Sequence, residues 1–238
     1  PLLRVLSVLL TAVAIVAALT LFFKVDQVAV SGNERYSEQE IIEASGVEQG
    51  DNLILLDKYR IAQRLYTQLP YITEVRINRQ LPDTLLVEVV ETQAVAVIKG
   101  GSSNWLLDSE GKLLEVIGSA AIKNYLSIEG TTAQDPAVSG TLQLAQESPL
   151  SAERLLELLG ELERRGMLEK TASLDVSDPE HLTLSYDGRF QVEMFYDADF
   201  AYKLNCLQET VARLEPNETG VIRMTLKDDN EVRFIPSA

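Results

Sequence analysis

The side chains that could carry chemistry are few, and their spacing builds no reaction centre. The chain has one histidine, His181, and one cysteine, Cys206, which together fall short of any zinc site, and Cys206 has no partner for an internal disulfide. His181 follows Asp178 by three residues and sits beside Glu180, the only arrangement that hints at a base with an orienting carboxylate. No serine stands in a GxSxG or SxxK run, and no glycine-rich phosphate loop occurs. The 36 acidic residues are scattered, so none is singled out as a general acid or base. Asn217-Glu218-Thr219 matches a glycosylation sequon formally and is read as a turn. The chain is therefore read as non-catalytic, with no cofactor, no metal and no small-molecule substrate.

Binding chemistry is expected at the end of the chain. Val221, Arg223 and Thr225 alternate with Ile222, Met224 and Leu226, and Glu231 to Ile235 form a second strand across the Lys227-Asp228-Asp229-Asn230 turn. An outermost strand offers free N–H and C=O groups to an incoming strand. The residues assigned to such a partner site are Arg223, Thr225, Val232 and Phe234, with Phe234 as anchor. The competing expectation is that Phe234 fills the domain's own core.

Charge narrows the partners. Against 21 Lys and Arg stand 36 Asp and Glu, a formal net of −15 over 238 residues. Residues 1–24 hold only Arg4 and Lys24, so the remainder carries 19 basic and 36 acidic side chains, a net of −17. A body of that sign repels phosphates, which argues against nucleic acid.

Residues 5–23 are uncharged, with only Ser7, Thr11 and Thr20 polar. As a helix they extend roughly 28 Å, against a hydrocarbon core of about 30 Å. A single membrane span is expected over residues 1–24, in preference to a cleaved signal, because Ala12-Val13-Ala14 lies inside the apolar run. The start at Pro1, without an initiator Met, raises the expectation of a preceding cytoplasmic tail. The N-terminus is expected inside.

Residues 25–92 read as strand, helix, helix, strand, strand. Val25 to Val30 alternates, Ser37-Glu38-Gln39-Glu40 is a capping box, and Asp57 caps a helix with Ile61, Leu65 and Leu69 on one face. Pro70 stops that helix, and two strands follow around Leu81-Pro82-Asp83-Thr84. The expected core includes Ile41, Ile61, Leu65, Val75, Ile77 and Leu85. Arg76 and Arg79 are placed on a solvated strand face.

Residues 93–238 read as a second mixed β unit. A strand at Ala94–Ile98 leads into a hairpin from Trp105 to Val116. Residues 130–149 are taken as an irregular surface loop. Ser151 caps a helix with Leu155, Leu158, Leu159 and Leu162 inward, and strands are expected near Leu174–Val176, His181–Tyr186 and Arg189–Phe195. Phe200, Leu204, Leu207, Val211 and Leu214 mark a second long helix, packed on its own sheet in preference to a coiled-coil partner. The fold class is α+β: one membrane helix, then a βααββ unit, then a β-sheet unit with two longer helices.

The ordered phrases resemble a known family. Val28-Ala29-Val30-Ser31-Gly32-Asn33, then Gly50-Asp51-Asn52-Leu53, then Leu69-Pro70-Tyr71-Ile72, Arg79, Pro82, Thr84 and Leu85 resemble a POTRA domain of the FtsQ/DivIB cell-division family. Leu107-Asp108, Gly111 and Leu113 extend the resemblance into the second unit. Departures are Tyr71-Ile72, where Trp-Val is frequent, and Met224-Thr225-Leu226-Lys227, where Asp and Arg have become Thr and Lys. The resemblance implies a scaffold at the division septum, held in the cytoplasmic membrane and binding FtsL and FtsB/DivIC type proteins. Two alternatives stand beside it. A POTRA-bearing transport component is opposed by the two helices after residue 150. A membrane-tethered cell-wall enzyme is opposed by the missing catalytic set.

Overall fold

The computed structural model describes residues 2–225 and 232–237, and within its first helix the side chains of residues 5–15 and 22. The chain divides into two compact units, Pro1–Thr92 and Gln93–Ala238.

The first unit begins with α1 (Leu2–Phe22), 21 residues long. Among the described residues no helix is long and apolar enough to cross a membrane. Residues 16–21 of the expected span have side chains outside that description. After α1 come β1 (Gln27–Ser31), α2 (Glu38–Ser45), α3 (Lys58–Gln68), β2 (Ile72–Gln80) and β3 (Thr84–Glu91), the order read from the sequence. The sheet order is β1-β3-β2, with β1 parallel and β2 antiparallel to the central β3.

Local chemistry explains the two helices. The Ser37 hydroxyl accepts from the Glu40 N–H while the Glu40 carboxylate accepts from the Ser37 N–H at 2.8 Å, the reciprocal box that satisfies two orphan donors. That hydrogen bonding with Ser37 holds the Glu40 carboxyl below its usual value. Gly46 ends α2 at φ 65°, a left-handed position where a Cβ would strike the Arg64 side chain. The Asp57 carboxylate accepts from the Tyr59 and Arg60 amides to start α3. Both helices lay apolar faces on the sheet. Ile41, Ile61, Leu65, Ile77 and Leu85 are buried there, and Val75 packs half-buried against them. Arg76 is exposed, whereas Arg79 reaches back to donate to the Leu56 carbonyl.

Among the described residues the second unit forms one sheet of nine strands. In chain order they are β4 (Ala96–Gly100), β5 (Ser103–Leu107), β6 (Leu113–Ile117), β7 (Leu126–Glu129), β8 (Thr171–Asp175), β9 (His181–Tyr186), β10 (Phe190–Phe195), β11 (Gly220–Arg223) and β12 (Arg233–Pro236). In space the order is β12-β11-β10-β9-β8-β7-β4-β5-β6. The helices α4 (Ala152–Arg164) and α5 (Phe200–Arg213) complete the core. Leu155, Leu158, Leu159 and Leu162 of α4 and Phe200, Leu204 and Leu207 of α5 are all at 0% exposure, so the apolar stripe of α5 is used inside its own domain.

Two sequence expectations need correction. Strand β7 had no counterpart in the sequence reading, yet it pairs in parallel with both β4 and β8. Residues 130–149 are not a plain surface loop. Ala133 and Leu142 are buried, and the segment bonds β6 and the turn before it through Leu113 to Gly140 and Leu142 to Gly111. Those bonds cover the first part of the β6 edge, which would otherwise stand open.

Candidate functional site

The candidate residues gather at the other margin of the large sheet. Strand β11 runs parallel to β10, and β12 closes antiparallel on β11 in the register Gly220–Pro236, Val221–Ile235, Ile222–Phe234 and Arg223–Arg233. Leu226 to Glu231, including the expected turn, lie outside the described residues.

The period of two separates the faces. Val192, Ile222 and Phe234 are neighbours across three strands on the core side. Phe234 is half-buried, its ring edge-on to Phe190 with centroids 6.0 Å apart. Gly220 makes that contact possible. A Cβ there would lie 3.0 Å from the Phe234 ring and 2.1 Å from the Ile235 carbonyl oxygen. Val232 also packs half-buried on the core. The aromatic assigned as an outward anchor therefore lies on the inward face.

The opposite face carries Arg223, Arg233 and Ile235. Arg223 is paired through Nε with the Glu193 carboxylate at 2.6 Å, and this hydrogen bond raises its already high pKa. Thr225 is half-buried just past β11, and Arg233 and Ile235 are exposed. The sequence reading passed over Ile235 because alternation defines two faces without saying which one meets the core. The Gly220–Pro236 register decides it.

The main chain supplies the chemistry of this edge. The Ser237 N–H donates to the Thr219 carbonyl at 2.8 Å, so the odd-numbered residues of β12 turn their polar groups toward β11. The N–H and C=O of Phe234 and the C=O of Pro236 then turn away. Proline has no N–H to offer and is tolerated where a strand meets no inner neighbour. Among the described residues no strand covers this side of β12. The arrangement can accept a further strand by main-chain hydrogen bonds, each contributing about 1 kcal/mol net.

The remaining polar clusters are structural in geometry. His181 Nδ1 stands 3.0 Å from Asp178 Oδ1, and that carboxylate, accepting from the Glu180 amide, is held below its ordinary pKa. The Tyr196 hydroxyl shares its one proton between the Asp178 and Val176 carbonyls, and burial raises its pKa to about 12. Among the described residues no group of three or more His, Cys, Asp or Glu side chains could hold a metal ion. A groove of about 830 Å³ in the second unit mixes Lys123, Glu163, Lys170 and Asp187 with Tyr125 and Leu168, without a convergent charge. Cys206 is half-buried on α5.

The βααββ unit lies where the chain matches a family model, the POTRA domain of FtsQ type, over residues 23–92. The chain is a relative of the FtsQ/DivIB cell-division proteins. It is 31% identical over 118 residues to the cell division protein FtsQ of Corynebacterium glutamicum, covering 50% of this chain and 52% of that one. With the cell division protein DivIB of Clostridium acetobutylicum it shares 28% over 161 residues, 68% of this chain and 61% of the relative. With the FtsQ of Geotalea daltonii it shares 30% over 181 residues, 74% and 58% respectively. The matches thus span between about half and three-fifths of the length of these relatives.

Proposed function

We propose that the chain is a non-enzymatic scaffold of bacterial division, fixed in the cytoplasmic membrane by residues 5–23. Its N-terminus lies inside, and two units, residues 25–92 and 93–238, stand outside at the septum. The relatives' division role supports the setting. The observation that carries the binding reading is the margin of β12, which no strand covers among the described residues, with the Phe234 main chain facing outward. Partners of the FtsL and FtsB/DivIC type add a strand there. Phe234 and Val232 hold β12 on the core from within, while Arg223, Thr225, Arg233 and Ile235 present the outer face.

Two experiments test this. A fluorescent fusion of the full chain should form midcell bands, and a uniform envelope signal would exclude the division role. Ile235→Glu should lower recovery of the short coiled-coil division proteins from detergent-solubilised membranes while leaving the thermal midpoint of residues 25–238 unchanged. Full recovery with Ile235→Glu removes β12 as the site.

A further inference from the structure

The first unit exposes an apolar loop just where its chain meets the end of α1. Ile54, Leu55 and Tyr59 are 41%, 73% and 74% exposed, and Phe22 at the end of α1 is 70% exposed. Leu81 and Val90 are exposed elsewhere on this unit at 63% and 49%, but only here do apolar side chains gather beside the end of α1. Their placement is fixed by a short run of main-chain bonds between residues 23–25 and 50–53. The Leu53 N–H donates to the Phe23 carbonyl at 2.9 Å, the Val25 N–H to the Asp51 carbonyl at 2.8 Å, and the Gly50 N–H to the Val25 carbonyl at 2.8 Å. Lys24 bridges to Asn52 between them, and Val25 and Leu53 are buried behind.

We infer that the Asn52–Asp57 loop, with Tyr59 at the start of α3, is a second membrane contact, lying in the headgroup layer of the bilayer that residues 5–23 span. The inference rests on the membrane-anchor reading above. If Phe23 ends the apolar span, it sits at the hydrocarbon boundary, and the interfacial layer beyond it is roughly 5–8 Å thick. Leu53 is one hydrogen bond from Phe23, and Leu55 is two residues further, a Cα separation of at most about 8 Å. The loop therefore has no room to leave the interface by more than a side chain's length. Its main chain is prepared for that environment. The Ile54 and Leu55 amides donate to the Asn52 side-chain oxygen at 3.0 and 3.1 Å, and the Leu55 and Leu56 amides reach the Asn52 carbonyl. Polar groups satisfied within the loop are not penalised by the loss of water.

The composition fits the same layer. An aromatic hydroxyl, Tyr59, suits the region between headgroup and chain. Lys24 and Arg60 are exposed and Lys58 is half-exposed, and with Asp26, Asp51 and Asp57 in the same two segments the charge there is balanced, in a chain of net −15. A shallow groove of about 270 Å³ continues from Leu55 and Leu56 to Arg60 and Arg64. Through two contacts instead of one, the anchor would fix the tilt of the first unit against the membrane.

Site-directed fluorescence on the full chain tests the inference. In a Cys206→Ser background, single cysteines at Val13→Cys, Leu55→Cys and Val138→Cys each carry a nitrobenzoxadiazole label. The proteins are reconstituted in phosphatidylethanolamine–phosphatidylglycerol vesicles containing spin-labelled lipid. The Leu55 probe should shift to shorter wavelength and lose intensity to the lipid quencher, as the Val13 probe does, while the exposed Val138 probe keeps its aqueous emission. A quenched Val13 probe beside an unquenched Leu55 probe overturns the loop contact while leaving the anchor reading in place. An unquenched Val13 probe overturns the anchor reading, and the loop contact with it.

Discussion

The ring of Phe234 meets that of Phe190 edge-on, centroids 6.0 Å apart and planes at 79°, across the space left by Gly220 on the strand between them. This contact fastens β12, the outermost of the described strands, to the sheet from the core side. An aromatic over a strand glycine recovers packing that the glycine cannot supply. Aromatic pairs in this geometry contribute about 0.5–1.5 kcal/mol beyond their buried area. A double-mutant cycle of Phe190→Leu and Phe234→Leu, read by urea denaturation of residues 25–238, should return a coupling in that range. Additive losses would show that the rings act independently. Phe234→Asp should lower the thermal midpoint markedly, because a charge would face the Phe190 ring.

Leu65 sits at 0% exposure between α3 and the small sheet, with Ile61 and Ile41 beside it. Leu65→Ala should cost about 2–5 kcal/mol, a large share of a small domain's stability. The urea midpoint of an isolated 25–92 fragment reports it, and an unmoved midpoint would contradict the packing of α3.

Much of this first unit was legible because each element announces itself locally. Ser37 with Glu40, Asp57, Gly46 and Pro70 mark helix ends by chemistry that needs no distant residue. The second unit was less legible where long-range pairing decides. Strand β7 is four residues, Leu126–Glu129, too short for a period to stand out, and it is a strand because β4 and β8 flank it. The same holds at the candidate edge. Alternation placed Val232 and Phe234 on one face, but only the register with Gly220 and Ile222 makes that face the inner one. The main-chain groups that face outward have no signature in residue type at all.

Glu161 is a buried acid on α4, its side chain 7% exposed, held by Arg164 and Arg165. Arg165 continues to α5, donating to the Asn205 side chain at 3.2 Å and to the Ala201 carbonyl at 2.9 Å. One guanidinium thus ties the two helices together while neutralising a carboxylate out of water. Breaking a buried pair costs about 3–5 kcal/mol because the remaining charge is stranded. Arg164 is 68% exposed and still reaches Glu161, so Arg165→Ala should fall near the lower end, about 3 kcal/mol. Denaturant unfolding of residues 25–238 measures it, and a loss no larger than a surface substitution would mean Arg164 suffices.

Tyr196 gives the second unit an alkaline limit. Its single O–H is shared between the Asp178 carbonyl at 2.5 Å and the Val176 carbonyl at 3.2 Å, joining the segment before α5 to the β8–β9 connection. A phenolate can donate neither bond, and burial with Asp178 and Asp175 nearby raises the pKa from 10.0 to about 12. A folded-state pKa above the unfolded value means the folded state holds its proton more tightly. The contribution is therefore complete below about pH 10 and is lost as the pH rises from there through about 12. Thermal midpoints of residues 25–238 should fall across that window by more in the parent than in Tyr196→Phe, which has no proton to lose. The same variant should already be less stable at neutral pH, since it lacks the shared hydrogen bond to these carbonyls. Parallel pH profiles for the two proteins would show that Tyr196 does not titrate with unfolding.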